Sequence, residues 1–179
     1  MKPDTIPAQP SIAAERFELR PVRRSDAGLI ALFTGDLRVA AATASIPHPL
    51  PPGATEAFIA RMTAPDRTED AWTLDASAHG GAEVLGVLTL RRMEGGQSEL
   101  SYWVAPAFWN TGIASEAVRA LVAANPHGAR TLFATVFQDN PVSARVLTNA
   151  GFEYLGDAEA YSVARGATVP TWTYLRRML

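Results

Sequence analysis

From Phe17 onward the spacing of apolar residues along the chain changes period several times, and each change marks an element. Phe17 and Leu19 alternate with Glu18 and Arg20 until Pro21 ends the run, as in a short strand. Leu29, Ile30, Leu32 and Phe33 then gather on one side of a helix that Ser25–Asp26 can cap. A second helical stretch over residues 36–44 runs into residues 46–53, where four prolines in eight positions exclude regular helix or central strand and predict a stiff loop. Helical spacing returns over residues 55–62 through Ala57, Phe58 and Met62.

The period then drops to two. Residues 72–76, 84–90 and 99–104 alternate as strands and are separated by His79-Gly-Gly and Glu94-Gly-Gly turns, which predicts an antiparallel meander. A small-residue turn leads into a helix over 115–124 with Ala117, Val118, Leu121 and Val122 on one stripe, stopping at Asn125–Pro126. Residues 131–137 are β-branched and aromatic, a buried strand. Residues 140–152 form a helix with proline in its first turn and Gly151 as a left-handed cap, and residues 152–156 and 171–175 close the sheet. The expectation is an α+β fold, a mixed sheet covered by helices. Its single domain is expected over 15–179, after a flexible leader over 1–14 that has three prolines in its first ten residues.

With 179 residues, 47% of them hydrophobic, the chain can bury one sizeable core. A formal charge of -2 without like-charge runs gives no general attraction to nucleic acid or to an acidic membrane surface. No segment is long and apolar enough to span a bilayer and no signal pattern opens the sequence, so a cytoplasmic protein is expected, monomeric or homodimeric. Zero cysteines exclude a disulfide framework, a thiolate metal site and a cysteine nucleophile, and three scattered histidines predict no metal site. The chemistry is left to oxygen and backbone groups.

One such backbone arrangement is legible. Asn110, Thr111, Gly112, Ile113, Ala114 and Ser115 have little bulk where a ligand must come close, and they open a helix whose first amides lack intrahelical partners. A diphosphate fits such a turn. Rossmann and Walker loops do not match, since Gly112 lacks the further glycines, the lysine and the ribose-binding acid that they require.

Tyr102-Trp-Val-Ala-Pro, Phe108-Trp-Asn-Thr-Gly-Ile-Ala-Ser-Glu-Ala117 and Asn140-Pro-Val-Ser-Ala-Arg-Val-Leu-Thr-Asn-Ala-Gly-Phe152 together resemble the GCN5-related N-acetyltransferases. More narrowly, with Glu15-Arg-Phe-Glu-Leu-Arg-Pro21, they resemble the ribosomal-protein N-terminal acetyltransferases of RimJ/RimL type. The resemblance implies a sheet whose strands splay at an acetyl-CoA site and transfer of acetyl to an amine, either a protein N-terminus or a small molecule. The family's Gln/Arg-x-x-Gly-x-Gly/Ala loop falls on residues 109–114. Trp109 departs from the general pattern in the manner of this branch, and Asn110 is the less common neighbour. Pantetheine is then expected near the backbone of Trp103 and Val104, and Asn140 orients it. Glu99 is the implied proton acceptor, with Asp75, Glu94 and a water chain as competitors, and Ser143 returns a proton to the thiolate. Family position also puts His48, Tyr161 and Trp172 toward the acceptor. Two alternatives stay open: a CoA-binding module without turnover, and an enzyme of the same fold acting on a small metabolite or antibiotic.

Overall fold

The computed structural model describes residues 9–179. In chain order the elements are β1 (Ile12–Ala13), β2 (Glu18–Pro21), α1 (Ala27–Thr34), α2 (Leu37–Ala40), α3 (Ala54–Thr63), β3 (Glu69–Asp75), β4 (Gly86–Met93), β5 (Gln97–Val104), α4 (Ile113–Ala124), β6 (Thr131–Phe137), α5 (Pro141–Asn149), β7 (Glu153–Ser162) and β8 (Ala167–Arg177). They build one eight-stranded sheet in the order β1-β2-β3-β4-β5-β6-β8-β7. Every neighbouring pair is antiparallel except β5 and β6, which run parallel because α4 carries the chain across one sheet face between them. The α+β architecture expected from the sequence is the one observed.

Alternation along the strands sorts the two faces. Trp72, Leu74, Leu88, Leu90, Leu100 and Leu132 point to the α4/α5 side, where Val118, Leu121 and Leu147 complete the main core. Each such side chain, once fully buried, contributes about 1.5–3 kcal/mol. Ala71 and Val87 face the other way, toward Ile30, Ile59 and Met62 of α1 and α3. Among the described residues no helix is long and apolar enough to cross a membrane.

Several boundaries differ from the sequence expectation. The leader was expected to reach residue 14. Its residues 1–8 lie outside the described residues, but the remainder is docked: Gln9 Nε2 donates to Ala71 O at 2.8 Å, Trp72 Nε1 donates to Pro10 O at 2.7 Å, and β1 pairs with β2. The helix expected over 36–44 is the single turn α2, followed by irregular chain into the proline loop. The closing strands are longer than expected, forming the β7–β8 hairpin over Glu153–Arg177.

Asp26, expected to cap α1, closes a 3₁₀ turn instead and anchors a buried polar network. Its carboxylate accepts from Arg20 Nη1 and Nη2 at 2.9 and 2.7 Å, from Thr73 Oγ1 at 2.8 Å and from Arg23 N at 3.0 Å. Arg20 Nε binds Asp75 Oδ2 at 2.7 Å. Desolvation works to raise the Asp26 pKa, but the hydrogen bonds from Arg20, Arg23 and Thr73 hold it below the usual carboxylate range.

Candidate active site

The parallel β5–β6 pairing lasts four residues, from Gln97 opposite Thr131 to Leu100 opposite Ala134. Beyond it β5 stays on β4 as far as Val104, and β6 stays on β8 as far as Phe137, so the two strands part as a wedge. Ala105 N–H donates to Leu85 O at 2.9 Å. Antiparallel alternation from that bond turns the backbone groups of Ser101 and Trp103 to β4 and those of Tyr102 and Val104 into the wedge. The sequence expectation named Trp103 with Val104; register favours Tyr102 with Val104. The Trp103 ring packs edge-on against Phe33 at 6.4 Å.

At the wide end of the wedge stands the small-residue turn. Gly112 has φ +80° and ψ +10°, and Asn110 has φ +61°, so two left-handed residues alternate with Thr111 and curl the backbone. Helix α4 starts at Ile113, immediately after Gly112 and two residues earlier than the hydrophobic stripe predicts. Its first internal bond runs from Glu116 N–H to Gly112 O at 3.0 Å. Among the described residues, no hydrogen bond to protein engages the amides of Asn110, Thr111, Gly112, Ile113, Ala114 and Ser115. Six successive free donors at a helix start form the backbone of an anion site, which is the fit a diphosphate requires. Trp109 ties this turn to the wedge, because its Nε1 donates to Val104 O at 2.7 Å while Arg38 lies 5.7 Å from its ring centroid.

Across the wedge, α5 begins. Asn140 Oδ1 caps it by accepting from Ser143 N–H at 3.3 Å, leaving the Nδ2 donors available. Ser143 Oγ lies 2.7 Å from the Tyr102 hydroxyl, which also donates to Ser143 O at 3.3 Å. Burial pushes the Tyr102 phenol up to about 12, although its bond to Ser143 works in the opposite direction. Tyr102 thus stays protonated at neutral pH and faces the helix that opens the other wall. Its place in the Leu100–Tyr102–Val104 alternation was visible in the sequence, but its partner was not.

A cavity of about 780 Å³ passes through the wedge, lined by Tyr102, Asn140 and Ser143 on one side and by Glu99, Ser101, Trp103 and Phe58 on the other. The volume suits a small-molecule site. Glu99 sits just below the point where the strands part and is held across β4–β5 by Arg91 Nη2 at 3.2 Å. Its competitors are elsewhere. Asp75 belongs to the Arg20 network and accepts from Ser77 N–H at 2.8 Å, and Glu94 lies exposed in the β4–β5 turn. Neither lines the cavity.

The far wall is formed by Ile46, Pro47 and Leu50 of the proline loop and by Thr171 and Thr173 of β8. His48 is exposed and outside that lining, Tyr161 is exposed on β7, and Trp172 packs on the main core. The loop's apolar residues, not its histidine, therefore shape the cavity.

A search among curated proteins finds no match. Among solved structures, the RimL ribosomal L7/L12 α-N-protein acetyltransferase in complex with coenzyme A superposes with a TM-score of 0.81 at 17% identity, over 94% of this chain and 98% of that one. The Microcin C7 self-immunity acetyltransferase MccE in complex with acetyl-CoA and AMP gives 0.78 at 13% identity, over 92% and 93%. Spermidine N-acetyltransferase from Vibrio cholerae in complex with CoA and spermine gives 0.77 at 13% identity, over 91% and 96%. These likenesses establish the fold. The profile described as "Acetyltransferase (GNAT) domain" matches residues 16–153, which include the amide turn, the wedge and α5, and the chain belongs to that family.

Proposed function

We propose that the protein is an acetyl-CoA-dependent N-acetyltransferase in which a primary amine attacks the thioester directly. The observation that carries this reading is that Trp109 ties the free amides at residues 110–115, through Val104 O, to a wedge lined by Tyr102, Asn140 and Ser143. Bound there, acetyl-CoA supplies an activated acetyl group. The amides from Asn110 to Ser115 hold its diphosphate, Asn140 Nδ2 and the wedge-facing backbone of Tyr102 orient its pantetheine arm, and Val104 N–H donates to the carbonyl oxygen as negative charge develops. Glu99 takes the proton from the amine through water, and the Tyr102–Ser143 pair returns one to the departing thiolate. No covalent enzyme intermediate is required, in keeping with a chain without cysteine.

The acceptor is a primary amine that reaches the thioester from the proline-loop side. The RimJ/RimL-like motifs favour a protein N-terminus, while the fold is shared with a spermidine N-acetyltransferase and with a microcin self-immunity acetyltransferase as well. The test is incubation with acetyl-CoA and a panel of N-terminal peptides, polyamines and aminoacyl compounds, with product masses read by mass spectrometry. Acetylation of at least one class that depends on Ser143 supports the reading. Tight CoA binding with no acetylated product in any class would favour a CoA-binding module instead.

A further inference from the structure

Glu116 is buried at 8% exposure in the first turn of α4, close to the amides that would hold an anion. A carboxylate there opposes a diphosphate unless it is neutralised. Neither oxygen turns to the helix amides. Oε2 accepts from Arg16 N–H at 2.8 Å and Oε1 accepts from Arg16 Nε at 2.6 Å, so backbone and side chain of one residue are fixed together. Arg16 Nη1 then donates to Thr111 O at 2.8 Å. Across a trans peptide, C=O and N–H point in opposite directions. Binding the Thr111 carbonyl on the Arg16 side consequently turns the Gly112 N–H to the other side, where the free amides lie. The guanidinium backs directly onto the turn, with Nη2 3.4 Å from where a side chain on Gly112 would begin. The turn's own first positions, Trp109 and Asn110, supply no cation.

We propose that Arg16 and Glu116 are positioning residues for the cofactor's diphosphate, a brace from outside the turn that sets the Thr111–Gly112 peptide plane. The proposal rests on the reading that residues 110–115 seat a diphosphate. Its test is calorimetric titration of acetyl-CoA and of S-acetylpantetheine, which lacks the diphosphate, into the wild type, Arg16→Met, Arg16→Lys and Glu116→Gln. The brace predicts that acetyl-CoA affinity falls about tenfold in Arg16→Met, the net worth of one charge-assisted hydrogen bond. Arg16→Lys falls similarly, because one ammonium cannot reproduce the guanidinium's geometry on both Glu116 and Thr111. S-acetylpantetheine binding stays at the wild-type value in every variant. Full rescue by Arg16→Lys would replace the brace with simple charge. Equal losses on both ligands, or no loss on acetyl-CoA, would overturn the proposal. A wild type that binds S-acetylpantetheine as well as it binds acetyl-CoA would overturn the diphosphate reading itself.

Discussion

Tyr102→Phe removes one oxygen and leaves the ring in place, so its two consequences can be separated. The hydroxyl makes a 2.7 Å contact with Ser143 Oγ and a 3.3 Å bond to Ser143 O. Its loss costs about 1 kcal/mol of stability and lowers the melting temperature by roughly 2–4 °C. Loss of the proton donor costs more in rate, about a hundredfold in kcat, with acetyl-CoA affinity unchanged. Ser143→Ala breaks the same pair, and the double variant falls little further than either single one. Kinetics are followed by thiol release with the acceptor found in the product screen, and stability by denaturant unfolding. The pH dependence supplies an independent check. Burial raises this phenol from 10 to about 12 in the folded state, so no stability is lost below pH 10, and ionisation costs the fold up to about 3 kcal/mol as pH rises from 10 through 12. Tyr102→Phe therefore flattens that alkaline loss. A kcat equal to wild type would refute the donor role and leave Tyr102 as a packing residue; an unchanged alkaline unfolding profile would refute its burial as an intact phenol.

Asp26→Ala strands Arg20 beside Asp75 alone and is expected to cost about 3–5 kcal/mol, roughly 10 °C or more in melting temperature, by calorimetry. Asp26, Asp70 and Asp75 all have depressed pKa values: desolvation pushes each upward, and hydrogen bonds to Arg20 and Thr73, to His127 and Arg67, and to Ser77 and Arg20, respectively, outweigh it. Their contribution is present above their unfolded values near 4 and disappears as pH falls through the depressed ones, so acid unfolding should begin below about pH 4 and move upward in Asp26→Asn. Gly86→Ala would drive its methyl into Trp103 O at the Gly86–Val104 pair, shifting β5 at the wedge, and should weaken acetyl-CoA binding as well as lower stability.

Elements with one buried face were legible because burial imposes a period on the sequence. The meander, α4, β6 and α5 all met this condition, and the glycine turn before α4 needed only local chemistry to be read. β7 was underestimated because it is an edge strand whose residues are largely exposed, so Tyr154, Leu155 and Tyr161 follow no core-facing alternation. β1 was missed because two residues carry no period at all, and its placement comes from pairing with β2 and from Trp72 reaching Pro10. The site divides in the same way. Asn110 to Ser115, Asn140 and Ser143 lie in contiguous motifs, whereas the Tyr102–Ser143 pair and the Arg16–Glu116–Thr111 brace join residues separated by 41 to 100 positions. Long-range pairs of this kind leave no spacing signal in a single sequence. Which of Tyr102, Trp103 and Val104 turns its backbone into the wedge depends on strand parity, a one-residue register that the sequence does not specify.

Whether the turn at residues 110–115 seats the diphosphate of acetyl-CoA is decided by calorimetric titration of acetyl-CoA and CoA into the wild type and Gly112→Glu, with folding checked by melting. A glutamate at Gly112 strains a residue at φ +80° and begins 3.4 Å from Arg16 Nη2, so it distorts the turn from the brace side and adds a negative charge beside the anion site. Saturable binding of both ligands to the wild type, and none to a folded Gly112→Glu, is the expected result. A wild type that binds neither, or a variant that binds both as well as wild type does, would contradict it.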